Sequence, residues 1–162
     1  MILLKRSECK IIGLNIKVKN EYNNYLYKLF SSIDLLNYKW YVITDDCLYS
    51  ENGEIKQKIF NKDIVIGQDF FKYISLKDYY MIFLDLKAYP LSGKYSEIRV
   101  FEDFLESECE IILLCIDSTF IEFYSKDKSI LDKVYKNCGK FNLESVEYIS
   151  VENARGRSMI AF

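Results

Sequence analysis

The chain has 162 residues and a mass of 19.2 kDa, with 50% apolar and 28% charged residues, the size and make-up of one globular domain with its own core. One proline, six glycines and no apolar run near the ~18 residues of a membrane span exclude collagen-like, linker-like and helical membrane-spanning designs. The absence of histidine removes every Ser-His, Cys-His and His-ligated mechanism, and a net charge of −2 with lysines and carboxylates interspersed lacks the clustered basic face of a nucleic-acid binder.

In chain order, Met1-Ile2-Leu3-Leu4 is apolar, but Lys5 and Arg6 follow at once, too soon for a secretory core of ~7–15 apolar residues. Residues 1–9 therefore read as a loose extension or a first strand. Residues 10–18 alternate, with Ile12, Leu14, Ile16 and Val18 on one face, and predict a half-buried strand. Asn20 caps a segment where Tyr22, Leu26, Leu29, Phe30 and Ile33 recur at helical spacing. Residues 40–44 are β-branched and aromatic, and Ser50-Glu51-Asn52-Gly53 is a turn signal between 47–49 and 54–60, so a meander of short strands is expected. Residues 69–74, after Gly67, predict a short helix capped near Gln68.

Residues 79–86 are apolar apart from Asp85 and read as a central strand, which Pro90-Leu91-Ser92-Gly93 ends. Residues 98–105 read as a strand passing into one helical turn. Residues 110–116 and 119–124 meet at Asp117-Ser118, too tightly for anything but a hairpin. Ser129 with Asp132 makes a capping box, Ile130, Leu131, Val134, Tyr135 and Cys138 follow at helical spacing, and Gly139 stands at the expected C′ position. Residues 146–151, the turn Asn153-Ala154-Arg155-Gly156 and residues 158–162 read as a second hairpin. The predicted fold is α+β, a single domain over residues 1–162, with a mostly antiparallel sheet and two or three packed helices.

Familiar catalytic patterns fail on spacing. Gly93-Lys94 is followed by Tyr95 where a phosphate loop needs Ser or Thr, and Ala88 stands where it needs glycine. A calcium loop around Gly53 would put Leu48 at a carboxylate position. Ser-x-x-Lys occurs at Ser7–Lys10 and Ser125–Lys128, about as often as chance gives for this serine and lysine content. The five cysteines form no C-x-x-C pair, and no basic neighbours mark any of them as reactive, so they read as reduced packing residues. No cofactor is implied.

Two constellations remain. Apolar strands run into Asp45 and Asp46, into Asp85 and into Asp117; parallel strands would bring these carboxylates to one sheet end as a Mg²⁺ site, whereas an antiparallel sheet would scatter them as turn and strand-end residues. Arg155-Gly156-Arg157 puts two guanidinium groups in one turn, suited to an anion or an acidic partner, or simply to solvent. Fourteen tyrosines and eleven phenylalanines exceed what a core needs on some strands, which is the composition of a recognition surface, although biased codon usage would also produce it.

Ile12-Gly13-Leu14, Asn20 to Leu26 (NEYNNYL), Asn37-Tyr38-Lys39-Trp40-Tyr41, Phe104 to Glu110 (FLESECE), Asp117-Ser118 and Phe123 to Asp127 (FYSKD) together resemble a small family of uncharacterised bacterial proteins of about this length. The resemblance covers most of the chain from Lys10 onward. It implies a cytoplasmic bacterial protein with one domain of unknown function and carries over no catalytic residue. The sequence thus reads as a non-enzymatic protein-binding module, of immunity or adaptor type, using an aromatic and acidic surface. The alternatives are a carboxylate-dependent metal enzyme and a small-ligand-binding domain. The expected partner is another protein, with no nucleic acid and no membrane, and the chain is expected to be a monomer or a homodimer.

Overall fold

The computed structural model describes residues 10–56, 58–60 and 62–161. The expectations for residues 1–9, Cys9 among them, fall outside this set. The elements run β1 (Ile11–Lys17), α1 (Tyr25–Phe30), β2 (Tyr38–Glu51), β3 (Glu54–Lys56), β4 (Ile64–Ile66), α2 (Gly67–Ser75), β5 (Tyr79–Pro90), α3 (Phe101–Glu106), β6 (Ile111–Ile116), β7 (Phe120–Ser125), α4 (Lys128–Lys140), β8 (Ser145–Ser150) and α5 (Val151–Ala154). Among the described residues one sheet of eight strands has the order β3-β2-β5-β6-β7-β1-β8, with β4 also on β2. Every pairing is antiparallel, so the α+β class follows.

Turn chemistry accounts for both tight hairpins. Asn52 and Gly53 join β2 to β3 at φ 53° and 79°, and Asp117 and Ser118 join β6 to β7 at φ 52° and 68°. Two consecutive left-handed residues give the turn whose twist matches that of the paired strands.

The sheet carries a core on each face. On the first, α1, α2 and α4 cover Leu14, Ile16, Leu84, Leu113 and Phe123. Trp40 stacks on Phe70 with centroids 4.1 Å apart, and Phe30 meets both edge-on. The Tyr79 hydroxyl accepts from the amide of Leu26 at the start of α1 and donates to the Ile74 carbonyl at the end of α2, both at 3.0 Å. The Asn137 amide of α4 donates to the Leu29 and Ser31 carbonyls, satisfying the end of α1. On the second face Ile12, Ile112, Leu114, Tyr124 and Ile149 pack beneath Phe101 and Phe104 of α3, Ala154 of α5 and Met159.

Several expectations are corrected. The first helix starts only after Asn24, because Asn23 is held in an antiparallel bridge to Tyr79 and so stays outside the helix. The meander is a single 14-residue strand, β2, with two irregularities in its register against β5, and the short strands β3 and β4 both fold back on it. Gly139 lies inside α4; the left-handed residue after it is Asn142, φ 54°, and Leu143 N donates to the Cys138 carbonyl in the pattern that closes a helix with Asn at C′. The second C-terminal hairpin does not form. α5 turns the chain away from β8, and the following segment crosses the second face, with Ser158 bridging to Val100. Among the described residues there are five helices, two or three more than expected, because α3 and α5 are short turns without a periodic signal.

Candidate functional site

Directly opposed residues of an antiparallel ladder share a face, so the register writes out the second face row by row. One row crosses the sheet as Tyr41, Lys87, Ile112, Tyr124, Gly13 and Ile149. The next is Thr44, Asp85, Leu114, Glu122, Asn15 and Glu147. Beyond it, Asp46 opposes Phe83, and Ile116, Phe120, Lys17 and Ser145 follow one another. The first row is roofed by α3, α5 and the C-terminal segment. The third is open: Phe120 is 53% exposed, and Lys17, Asp46 and Ser145 are exposed with it, as is Glu147 at the edge of the middle row.

The first two rows together anchor the C-terminal segment. Gly13 lets Tyr124 lie across β1, since a Cβ there would stand 2.6 Å from the Phe123 carbonyl oxygen and 2.7 Å from the Tyr124 ring. The Tyr124 hydroxyl then donates to Glu122 at 2.6 Å, and Arg157 donates to the same carboxylate at 3.0 Å. Further along, Lys87 donates to Asp85 at 2.5 Å and to the Met159 carbonyl at 2.7 Å. Between these anchors the segment pairs with the start of α3 and the residues just before it, Phe101 N donating to the Arg157 carbonyl and Met159 N to the Arg99 carbonyl. Asp103 in turn accepts the amides of Arg99 and Val100.

Asp85 and Lys87 are both buried. Burial raises the Asp85 carboxyl above its usual range, with the Lys87 ammonium and the Ala161 amide acting against it. Its second oxygen is also buried and makes no hydrogen bond among the described residues. Beside the pair opens a cleft of about 320 Å³ containing Lys87, Tyr95 and Ile160. Tyr95 belongs to a cluster with Tyr41 and Tyr89, its ring centroid 4.6 Å from the first and 5.7 Å from the second.

The aspartates singled out from sequence separate. Asp45 opposes Leu84 and so faces the first core, Asp46 and Asp85 face the other way, and Asp117 sits in the β6–β7 turn. Among the described residues no group of three or more Cys, Asp or Glu could hold a metal ion. Asp45 lines a polar cleft with Lys58, Lys62 and Asp63, and burial pushes its carboxyl up to about 6. The two arginines also part: Arg155 makes an exposed 3.2 Å pair with Glu152, while Arg157 is drawn onto Glu122. Cys47, Cys109, Cys115 and Cys138 are free and buried. Burial pushes the thiols of Cys109, Cys115 and Cys138 up to about 12, so they stay protonated packing groups.

Sequence reasoning missed Lys87. The signal was present: in Leu84-Asp85-Leu86-Lys87 the two charges alternate with leucine, and a central strand must put both on one face, where they pair.

The profile of the family described as "Protein of unknown function (DUF2691)" matches residues 11–160, so the chain belongs to that family. It is similar to the "Uncharacterized protein YncE" of Bacillus subtilis (strain 168), with 30% identity over 142 residues that cover 87% of this chain and 93% of that protein. No solved structure matches.

Proposed function

We propose that this member of the family acts by binding another protein through the open half of the second sheet face, without catalysing a reaction. The observation that carries the reading is Phe120, 53% exposed at the start of β7, on a sheet face where Ile116 opposite it and Phe83 on the same face are half-buried. Around it lies a shallow groove of about 290 Å³ formed with Asn15, Lys17, Glu122, Ser145 and Glu147. An exposed aromatic set among polar residues is the make-up of a contact centre with its rim.

Charge selects the partner. Lys17 is paired with Glu144 at 3.6 Å and Arg157 with Glu122 at 3.0 Å. Asp46 and Glu147 on the face, and Asp117 in the turn at its end, have no ion-pair partner among the described residues. The uncompensated charge is acidic, which favours a partner with a basic, partly apolar surface. The reading includes a reducing, cytoplasmic setting, supported by the four buried free thiols. No helix among the described residues is long and apolar enough to cross a membrane.

A photo-crosslinking amino acid at position 120, in lysate of the producing bacterium, tests the reading. The expected result is one stoichiometric protein, captured through a lysine- or arginine-bearing peptide and lost on Asp46→Lys with Glu147→Lys or in high salt. No stoichiometric capture at low salt, or capture indifferent to the charge reversals, overturns it.

A further inference from the structure

The buried pair on β5 is unexplained by a role of the open half-face. An apolar pair of similar volume is often as stable as a buried ion pair, so packing alone does not call for Asp85 and Lys87. The cleft beside the pair is walled by Ile43, Ile98, Ile160 and the Tyr95 ring, with Lys87 at its base and Glu97 and Arg99 at its mouth. Its roughly 320 Å³ is at the small end of ligand pockets, about 300–1,000 Å³, and suits one ring.

Hydrogen-bond and charge accounting defines what fits. An ammonium has three donors; Lys87 commits one to Asp85 and one to the Met159 carbonyl, leaving one. The charges are already matched in two pairs, Lys87 with Asp85 at 2.5 Å and Arg99 with Glu97 at 2.9 Å. A charged ligand would lose its hydration with no counter-charge waiting, whereas an uncharged acceptor takes the remaining N–H without that penalty.

We propose that this cleft binds a small uncharged molecule with a carbonyl-type acceptor on a flat apolar body, the carbonyl accepting from Lys87 and the ring lying between Tyr95 and the isoleucines. The site is separate from the open half-face, and the two proposals stand or fall independently.

Benzamide is the probe, with benzoate and benzylamine as charged molecules of similar shape, each titrated into the full chain and followed by NMR. Benzamide is expected to saturate, shifting the Lys87 side-chain resonance and the amides of residues 95–99 and 160, with both charged analogues at least about tenfold weaker. Ile160→Trp fills the mouth of the cleft and removes these shifts while the unfolding midpoint stays in place. Because Lys87→Met alone would strand Asp85, the donor is removed in the double variant Lys87→Met with Asp85→Leu, which is expected to fold and to bind benzamide about tenfold more weakly. The proposal is overturned by shifts that persist in Ile160→Trp, by equal binding of the three probes, by unchanged binding in the double variant, or by no saturable binding of benzamide.

Discussion

Asp85 and Lys87 stand two residues apart on β5 with carboxylate and ammonium 2.5 Å apart, both shut off from solvent. Removing one partner leaves an uncompensated buried charge, whereas removing both does not. Lys87→Met is therefore expected to cost about 3–5 kcal/mol, and Lys87→Met combined with Asp85→Leu far less. Urea unfolding of the two variants beside the parent measures this, and equal losses in both would contradict it.

Asp45 makes stability depend on pH in a defined direction. Burial raises its carboxyl to about 6, only partly offset by the amides of Phe60 and Cys47 and the charge of Lys58. An unfolded carboxyl ionises near ~3.9, so between there and 6 the folded chain holds the extra proton. The contribution of this group is fully present below about pH 4, declines as pH rises to about 6, and stays lost above. Asp45→Asn is expected to gain about 1–2 kcal/mol at about pH 8, allowing for partial exposure of the site, and almost nothing near pH 4. Urea midpoints at the two pH values decide the sign.

Tyr79 is a tether between two helices through one hydroxyl. In Tyr79→Phe the buried Leu26 amide and Ile74 carbonyl lose their shared partner, at a cost of about 1–3 kcal/mol. Amide hydrogen exchange is expected to quicken at the start of α1 and the end of α2 before the sheet is affected.

Ser118 occupies the second left-handed position of the β6–β7 turn, at φ 68°. Glycine adopts that conformation without the Cβ penalty, although it loses more freedom on folding, so Ser118→Gly is expected to stabilise by about 0.5–1 kcal/mol. Thermal unfolding reads the gain, and a lower midpoint would show that the Ser118 side chain contributes more than the strain it carries.

The alternation around Leu14, the apolar run through Leu84 and the spacing of Ile130, Val134 and Cys138 all mark elements that the fold contains. They are legible because each element buries one face and repeats its pattern within a few residues. The errors fall where a distant contact overrules a local preference. Asn23 is held by Tyr79, and the stretch after α5 reads as a strand returning to β8 until α3 offers it Val100 instead. In the same way the paired arginines look like one feature, yet Glu122, 35 residues before Arg157 in sequence, claims only one of them.

The sequence by itself determined the class of fold, both tight hairpins and the helix α4, because hydrophobic period and turn chemistry act over short stretches of chain. It also determined that Asp85 and Lys87 would share a face. Only the tertiary structure decided that this face is roofed by the C-terminal segment, so that the pair is buried, ties down Met159 and borders a cleft. The cost of a charge depends on everything that replaces its water, and at Lys87 that includes a carbonyl 72 residues further along the chain.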